Sequence, residues 1–151
     1  MRYTPDQALE NLNRLLEKTW SELSESDTRS KIIDPLLKEC LNWQEEDIIR
    51  EEHVVSGYVD YVIRVRNKNK FIIEAKKEGN YFNLPISRSR RFKIGGMLKK
   101  DKSVKEALIQ AQKYCMNNGV RYGVITNGSQ YIIFESIANG EVWNNGNCLV
   151  F

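Results

Sequence analysis

Three extended segments follow one another between residues 47 and 77, with room between them only for turns. "DIIREEHVV" is parted by Gly57 from "YVDYVIRV", and the polar turn "RNKNK" leads into "FIIEAKK". Short runs rich in Val, Ile, Tyr and Phe bounded by such turns are strands, and three in succession predict an antiparallel meander. The third strand has an unusual ending. Instead of meeting turn residues, its apolar run passes straight into Glu74, Lys76 and Lys77.

A chain reversal near Asn67 or Lys68 sets position 60 opposite positions 74 to 76, so Asp60 is expected beside Glu74 and Lys76. Side chains alternate faces along a strand, which puts Glu74 and Lys76 on one face and Lys77 on the other. Two carboxylates and an ammonium then converge. Hard divalent cations such as Mg²⁺ or Mn²⁺ take carboxylate oxygens and keep several waters, leaving positions for phosphate oxygens and an attacking water. A neighbouring ammonium can orient that water and balance charge on phosphorus. These are the parts of metal-dependent phosphodiester hydrolysis. On a solvated face the same three side chains would be an ordinary cross-strand ion pair.

The remaining elements are predicted from periodicity. Thr4 as a cap, Pro5 in the first turn, and Leu9, Leu12, Leu16, Trp20 and Leu23 at steps of three or four predict an amphipathic helix over 5–23. A second helix should follow "SESDTR", with Ile33, Leu36, Leu37, Cys40 and Leu41 on one side and a kink or boundary at Pro35. Residues 80–102 show no sustained period and read as a long loop or insertion. "VKEALIQAQKYCMNN" returns to helix, with Val104, Ala107, Leu108, Ala111 and Cys115 as its apolar face and Gly119 as terminator. "VRYGVIT" and "QYIIFES" are two more strands around the turn signal Asn127-Gly128.

The chain of 151 residues suits a single domain over 1–151, with 41% hydrophobic and 28% charged residues. No stretch has the apolar length of a signal peptide or membrane span, so a cytoplasmic protein without membrane contact is expected. Cys40, Cys115 and Cys148 are odd in number and lack a CxxC pair; they are expected to be small buried residues, not a disulfide or zinc framework. His53, the only histidine, has no partner for nucleophilic or zinc chemistry.

Charge is strongly segregated along the chain. Residues 1–60 carry a net −7, residues 61–113 a net +11 and the remainder −1. Arg88, Arg90, Arg91, Lys93, Lys99 and Lys100 crowd into the aperiodic segment beside Tyr81, Phe82 and Phe92. Such a segment is either a solvated loop or a DNA-contacting one, with cations on phosphates and rings on bases.

Asp60 followed after thirteen residues by "EAK" resembles the PD-(D/E)XK nuclease superfamily. More narrowly, "SESDTRSKIIDPLL", "GYVDYVI", "FIIEAKK", "QAQKY" and "GVITNG" resemble, over roughly 24–135, the N-terminal nuclease domain of type I restriction enzyme motor subunits and related antiphage proteins. That resemblance implies an α/β fold, a three-layer α/β/α restriction-endonuclease-like core with a mixed central sheet of about five strands. It also implies Mg²⁺-dependent endonucleolytic cleavage of DNA. Asp60 and Glu74 would hold the metal with the backbone carbonyl of Ala75, and Lys76 would position or activate the water. Gln110 and Tyr114, four residues apart and so on one helix face, would support Lys76 or contact the substrate backbone. Glu25 would be a further metal or water ligand, or else a helix-capping acid. Glu52 is a weaker acidic candidate. In this frame 1–23 is an N-terminal helix, 24–135 the core and 80–102 a basic insertion bordering the active site.

No GxxxxGK[ST] phosphate loop occurs, so no ATP site is expected within the chain. "EVWNNGNCLVF" stops on an apolar run, and a longer protein with a downstream motor or sensor domain is expected. Since one centre cuts one strand, a homo-oligomer is a possible partner arrangement. The alternatives are a nucleic-acid-binding or assembly module with little catalysis, and a structural domain whose charged hairpin makes surface pairs.

Overall fold

A computed structural model describes residues 2–151. The fold is mixed α/β around a seven-stranded mixed sheet, two strands more than expected. The strands are β1 (Ile48–Val54), β2 (Gly57–Val65), β3 (Lys68–Ala75), β4 (Arg91–Lys93), β5 (Tyr122–Thr126), β6 (Tyr131–Glu135) and β7 (Asn147–Val150), in the spatial order β1-β2-β3-β5-β6-β7-β4. Only β3 and β5 run parallel.

β1, β2 and β3 form the expected meander. The β2–β3 reversal lies one residue earlier than predicted. Arg66 and Asn67 both take left-handed backbone (φ 49° and 60°), the two-residue turn whose twist matches that of paired strands. Tyr61 therefore pairs with Ile73, and Asp60 arrives beside the end of β3.

α1 (Pro5–Leu16) starts with a capping box in which Thr4 accepts from the Gln7 N–H and the Gln7 side chain returns to the Thr4 N–H. It ends seven residues short of the predicted 23. A second capping box, Ser24 with Asp27, already opens α2 (Glu25–Thr28), so the chain must reorient between the two helices; Glu22 does so at φ 52°. Leu23 is buried as a loop residue. α2 continues through two wide π-helical turns, Arg29–Ile33 and Leu36–Cys40, on either side of Pro35. Pro35 keeps helical angles (φ −60°, ψ −42°) and ends nothing. The widened turns, with Asp34 N–H on the Arg29 carbonyl and Leu41 N–H on that of Leu36, accommodate the missing donor.

The segment 80–102 is no loop throughout. It contains β4 and α3 (Ile94–Lys100), whose Ile94 and Met97 are buried. α4 (Lys102–Asn117) is capped by Asp101, which accepts from the Ser103 and Val104 N–H groups, and buries the predicted Val104, Ala107, Leu108, Ala111 and Cys115. Two apolar clusters form. One joins α3, α4 and residues such as Ile72, Ile125 and Phe134; the other joins Ile33 and Leu37 to Tyr61, Ile63, Ile73 and Ala75. Cys115 and Cys148 are buried and Cys40 is half-buried, all three free. Among the described residues no helix is long and apolar enough to cross a membrane.

Candidate active site

β3 alternates its last side chains between the two clusters. Ile73 and Ala75 enter the cluster beneath α2, while Glu74 and Lys76 turn towards α4. Lys77 is exposed. The carboxylate of Glu74 is 4% exposed, and its Oε1 accepts from the Lys76 ammonium at 2.7 Å. Its Oε2 is buried with no hydrogen-bond partner. An unpaired carboxylate oxygen is costly to bury in its charged form, and Glu52 Oε2 is buried without a partner in the same way.

The chain of contacts continues along α4. Gln110 Oε1 lies 3.5 Å from Lys76 Nζ, and Gln110 Nε2 donates to the Tyr114 hydroxyl at 2.9 Å. Tyr114 is buried with its hydroxyl beside Gly57, whose φ of 132° is a backbone conformation that favours glycine. On the other side, Asp60 Oδ2 accepts the Ala75 N–H at 2.8 Å, which ties β2 to the end of β3. Asp60, Glu74, Lys76, Gln110 and Tyr114 are thus one connected group.

Arg29 and Glu51 also belong to this neighbourhood, and the sequence did not single them out. Arg29, on the first π-helical turn, sends Nη1 to Asp60 Oδ1 at 3.2 Å and Nη2 to Glu51 Oε1 at 3.0 Å. Glu51 stands across from Asp60 on β1 with left-handed backbone, φ 53°. Buried Thr28 donates to the Ser24 carbonyl and accepts the Glu78 N–H, both at 2.9 Å, fastening α2 to the chain just beyond Lys76. Arg29 and Thr28 lie within the "SESDTR" stretch, but only tertiary contact shows what they touch.

Burial sets the electrostatics. It pushes the Glu74 carboxyl up to about 7, helped by the negative charges of Asp60 and Glu25 and opposed by Lys76. Burial also raises Asp60, against the Ala75 N–H, Arg29 and Lys76. Burial alone would lower the Lys76 ammonium, but the Glu74, Glu25 and Asp60 carboxylates outweigh it and hold it above the usual lysine range. Lys76 is therefore a proton-bearing donor, not a free amine.

Glu25 is exposed and takes no part in the capping box, which Ser24 and Asp27 supply. Its charge reaches Glu74, yet among the described residues no three His, Cys, Asp or Glu side chains form a closed group. Glu52 is turned elsewhere: its Oε1 accepts from Arg64 at 2.6 Å. His53 packs edge-on against Tyr58.

Arg88, Arg90, Arg91, Lys93, Lys99 and Lys100 are all exposed, and none forms an ion pair among the described residues. Only Arg91 and Lys93 lie on a strand, and that strand is not next to β3. β4, with Arg91 and Lys93, lies four inter-strand spacings from β3, about 19 Å across the sheet. Of the three neighbouring rings, Phe82 belongs to the core and Phe92 packs against it, so neither is free to stack on bases; Tyr81 is exposed.

The donor set fits a hard cation. Carboxylate oxygens are the donors such ions take, and Glu74 Oε2 is buried without a partner, while Asp60 Oδ1 and Oδ2 and Glu74 Oε1 are engaged by Arg29, the Ala75 N–H and Lys76. No family model, curated protein or solved structure matches this chain.

Proposed function

We propose that this chain is a Mg²⁺- or Mn²⁺-dependent endonuclease domain that hydrolyses phosphodiester bonds in DNA. The observation that carries this reading is the unpartnered, buried Glu74 Oε2 beside the Lys76 ammonium and Asp60. The resemblance of "GYVDYVI", "FIIEAKK" and "QAQKY" to PD-(D/E)XK nucleases points the same way, as do two apolar clusters on either side of the sheet, which fit the three-layer restriction-endonuclease-like core. A longer restriction or antiphage protein, with this chain as its cytoplasmic effector, is the corresponding biological setting.

Asp60 and Glu74 would hold the cation, with the Ala75 carbonyl as a further donor. When bound, the metal would supply Lewis-acid polarisation of the scissile phosphate. Asp60 is oriented for this by the Ala75 N–H, and Glu74 by Lys76. The Lys76 ammonium donates to the attacking water or to a phosphoryl oxygen and offsets the charge that develops there. Gln110 restrains Lys76, and the Tyr114 hydroxyl restrains Gln110. Hydrolysis forms a water-oxygen to phosphorus bond and breaks the bond from phosphorus to the leaving sugar oxygen, and the proton the water gives up passes through solvent to that leaving oxygen.

Asp60→Ala, Glu74→Ala and Lys76→Ala should each lower Mg²⁺-dependent cleavage of plasmid DNA by roughly a hundredfold to a thousandfold, the scale of losing one electrostatic group at such a centre. Asp60→Ala and Glu74→Ala should also lose Mn²⁺ binding, whereas Lys76→Ala should retain it. Undiminished cleavage by all three would sink the proposal. DNA retention without cleavage under any divalent metal would favour a binding or assembly module instead.

A further inference from the structure

Arg29 is the one cation at this site that the catalytic scheme leaves without work of its own. Each proposed metal ligand already carries a positive partner: Arg29 sits on Asp60 Oδ1 and Lys76 on Glu74 Oε1. The two carboxylates are therefore offset within the protein, and an incoming dication meets two full positive charges close by. Lys76 is restrained by Gln110. Arg29 has an exit: its second arm already rests on Glu51, which is 64% exposed at the protein surface. Glu51 holds that place with left-handed backbone, a conformation that costs a non-glycine residue energy and persists where an arrangement requires it. A guanidinium is also the side chain best shaped to transfer from a carboxylate to a phosphate.

Resting on the nuclease reading, we propose that Arg29 is a built-in counter-cation that competes with the divalent ion for Asp60, so that metal binds tightly only when a DNA phosphate draws Arg29 away. Metal and DNA then strengthen each other's binding, because each relieves the same contact. A purely structural Arg29 makes the opposite forecast: its removal would disorder Asp60 and weaken metal binding.

The test is Mn²⁺ titration of the full chain by electron paramagnetic resonance, with and without a short phosphorothioate duplex that resists hydrolysis. Arg29→Gln should bind Mn²⁺ roughly tenfold or more tightly than the parent protein when no DNA is present, the scale of removing one nearby positive charge. Arg29→Lys, which keeps the charge, should stay close to the parent. The duplex should raise Mn²⁺ affinity in the parent and have little effect in Arg29→Gln. Should Arg29→Gln fail to fold, Glu51→Gln serves instead. With its outer anchor gone Arg29 settles on Asp60, and Mn²⁺ binding should weaken several-fold. Unchanged or weaker Mn²⁺ binding in Arg29→Gln, unchanged binding in Glu51→Gln, or no effect of the duplex on the parent would each overturn the proposal. Asp60→Ala separates the two levels: if it binds Mn²⁺ as the parent does, the metal site itself is misassigned, and the nuclease reading falls with it.

Discussion

At the scale of single residues, Glu74 makes the chain's stability depend on pH in an unusual direction. Most carboxylates gain partners on folding and stabilise the protein as pH rises; Glu74 is buried instead, and its folded-state value of about 7 lies above the ordinary 4.5. Between those values the unfolded chain has released this proton and the folded chain has kept it. The contribution of Glu74 is thus full below about pH 4.5 and is lost as pH rises through 7, by up to about 3 kcal/mol. Thermal melts should show Glu74→Gln gaining on the parent protein between pH 5 and 8. Mg²⁺ should narrow that gap at pH 8 by stabilising the ionised parent. Parallel curves for the two proteins over this range would show that Glu74 is not a strained, buried acid. The residues of this site differed in how legible they were. Asp60, Glu74 and Lys76 could be aligned from strand register, and Gln110 and Tyr114 from a four-residue helical step. Arg29 and Glu51 could not, because a π-helical turn brings Arg29 to Asp60 and a left-handed strand residue brings Glu51 to Arg29, and neither has a sequence signature.

At the scale of elements, the cleanest test of the packing that carries Gln110 is Gly123. It lies on β5 directly beneath α4, where a Cβ would fall 2.5 Å from Phe134 Cζ and 2.8 Å from Cys115 Sγ. Neither neighbour can retreat, since both are buried. Gly123→Ala should cost about 1 to 3 kcal/mol, the range for overpacking a filled core, and should lower the denaturant midpoint without changing the slope. A midpoint equal to that of the parent would mean that α4 rides loosely on the sheet. The face of α4 was fully legible because sixteen residues repeat one apolar stripe. α3 was not legible, because seven residues with Gly95 and Gly96 carry little intrinsic helix preference; burial of Ile94 and Met97 holds the helix. The three residues of β4 are too few to show a period, and α1 was overextended because Trp20 and Leu23 keep a helical spacing after the helix has ended.

At the scale of the whole molecule, the charge segregation seen along the chain becomes a separation in space. The carboxylates gather at the ends of β2 and β3, while Arg91 and Lys93 line β4 at the far edge of the sheet, about 19 Å away. Cations at that distance cannot stabilise the reacting phosphate, but they can hold the same DNA molecule at another part of its backbone. Binding and chemistry should therefore separate on mutation. Replacing Arg88, Arg90, Arg91 and Lys93 with alanine should weaken DNA binding. It should also make the logarithmic dependence of affinity on salt shallower by about 0.9 for each phosphate that the protein no longer neutralises. All four side chains are exposed, so the fold should survive. Single-turnover cleavage at saturating DNA should then stay within a few-fold of the parent, since Asp60, Glu74 and Lys76 are untouched. Affinity measured across a salt series, paired with saturated cleavage rates, distinguishes the cases. An unchanged salt slope would show that this edge does not meet the DNA backbone. A collapse of the saturated rate would show that the basic edge acts on the chemical step despite its distance from Glu74.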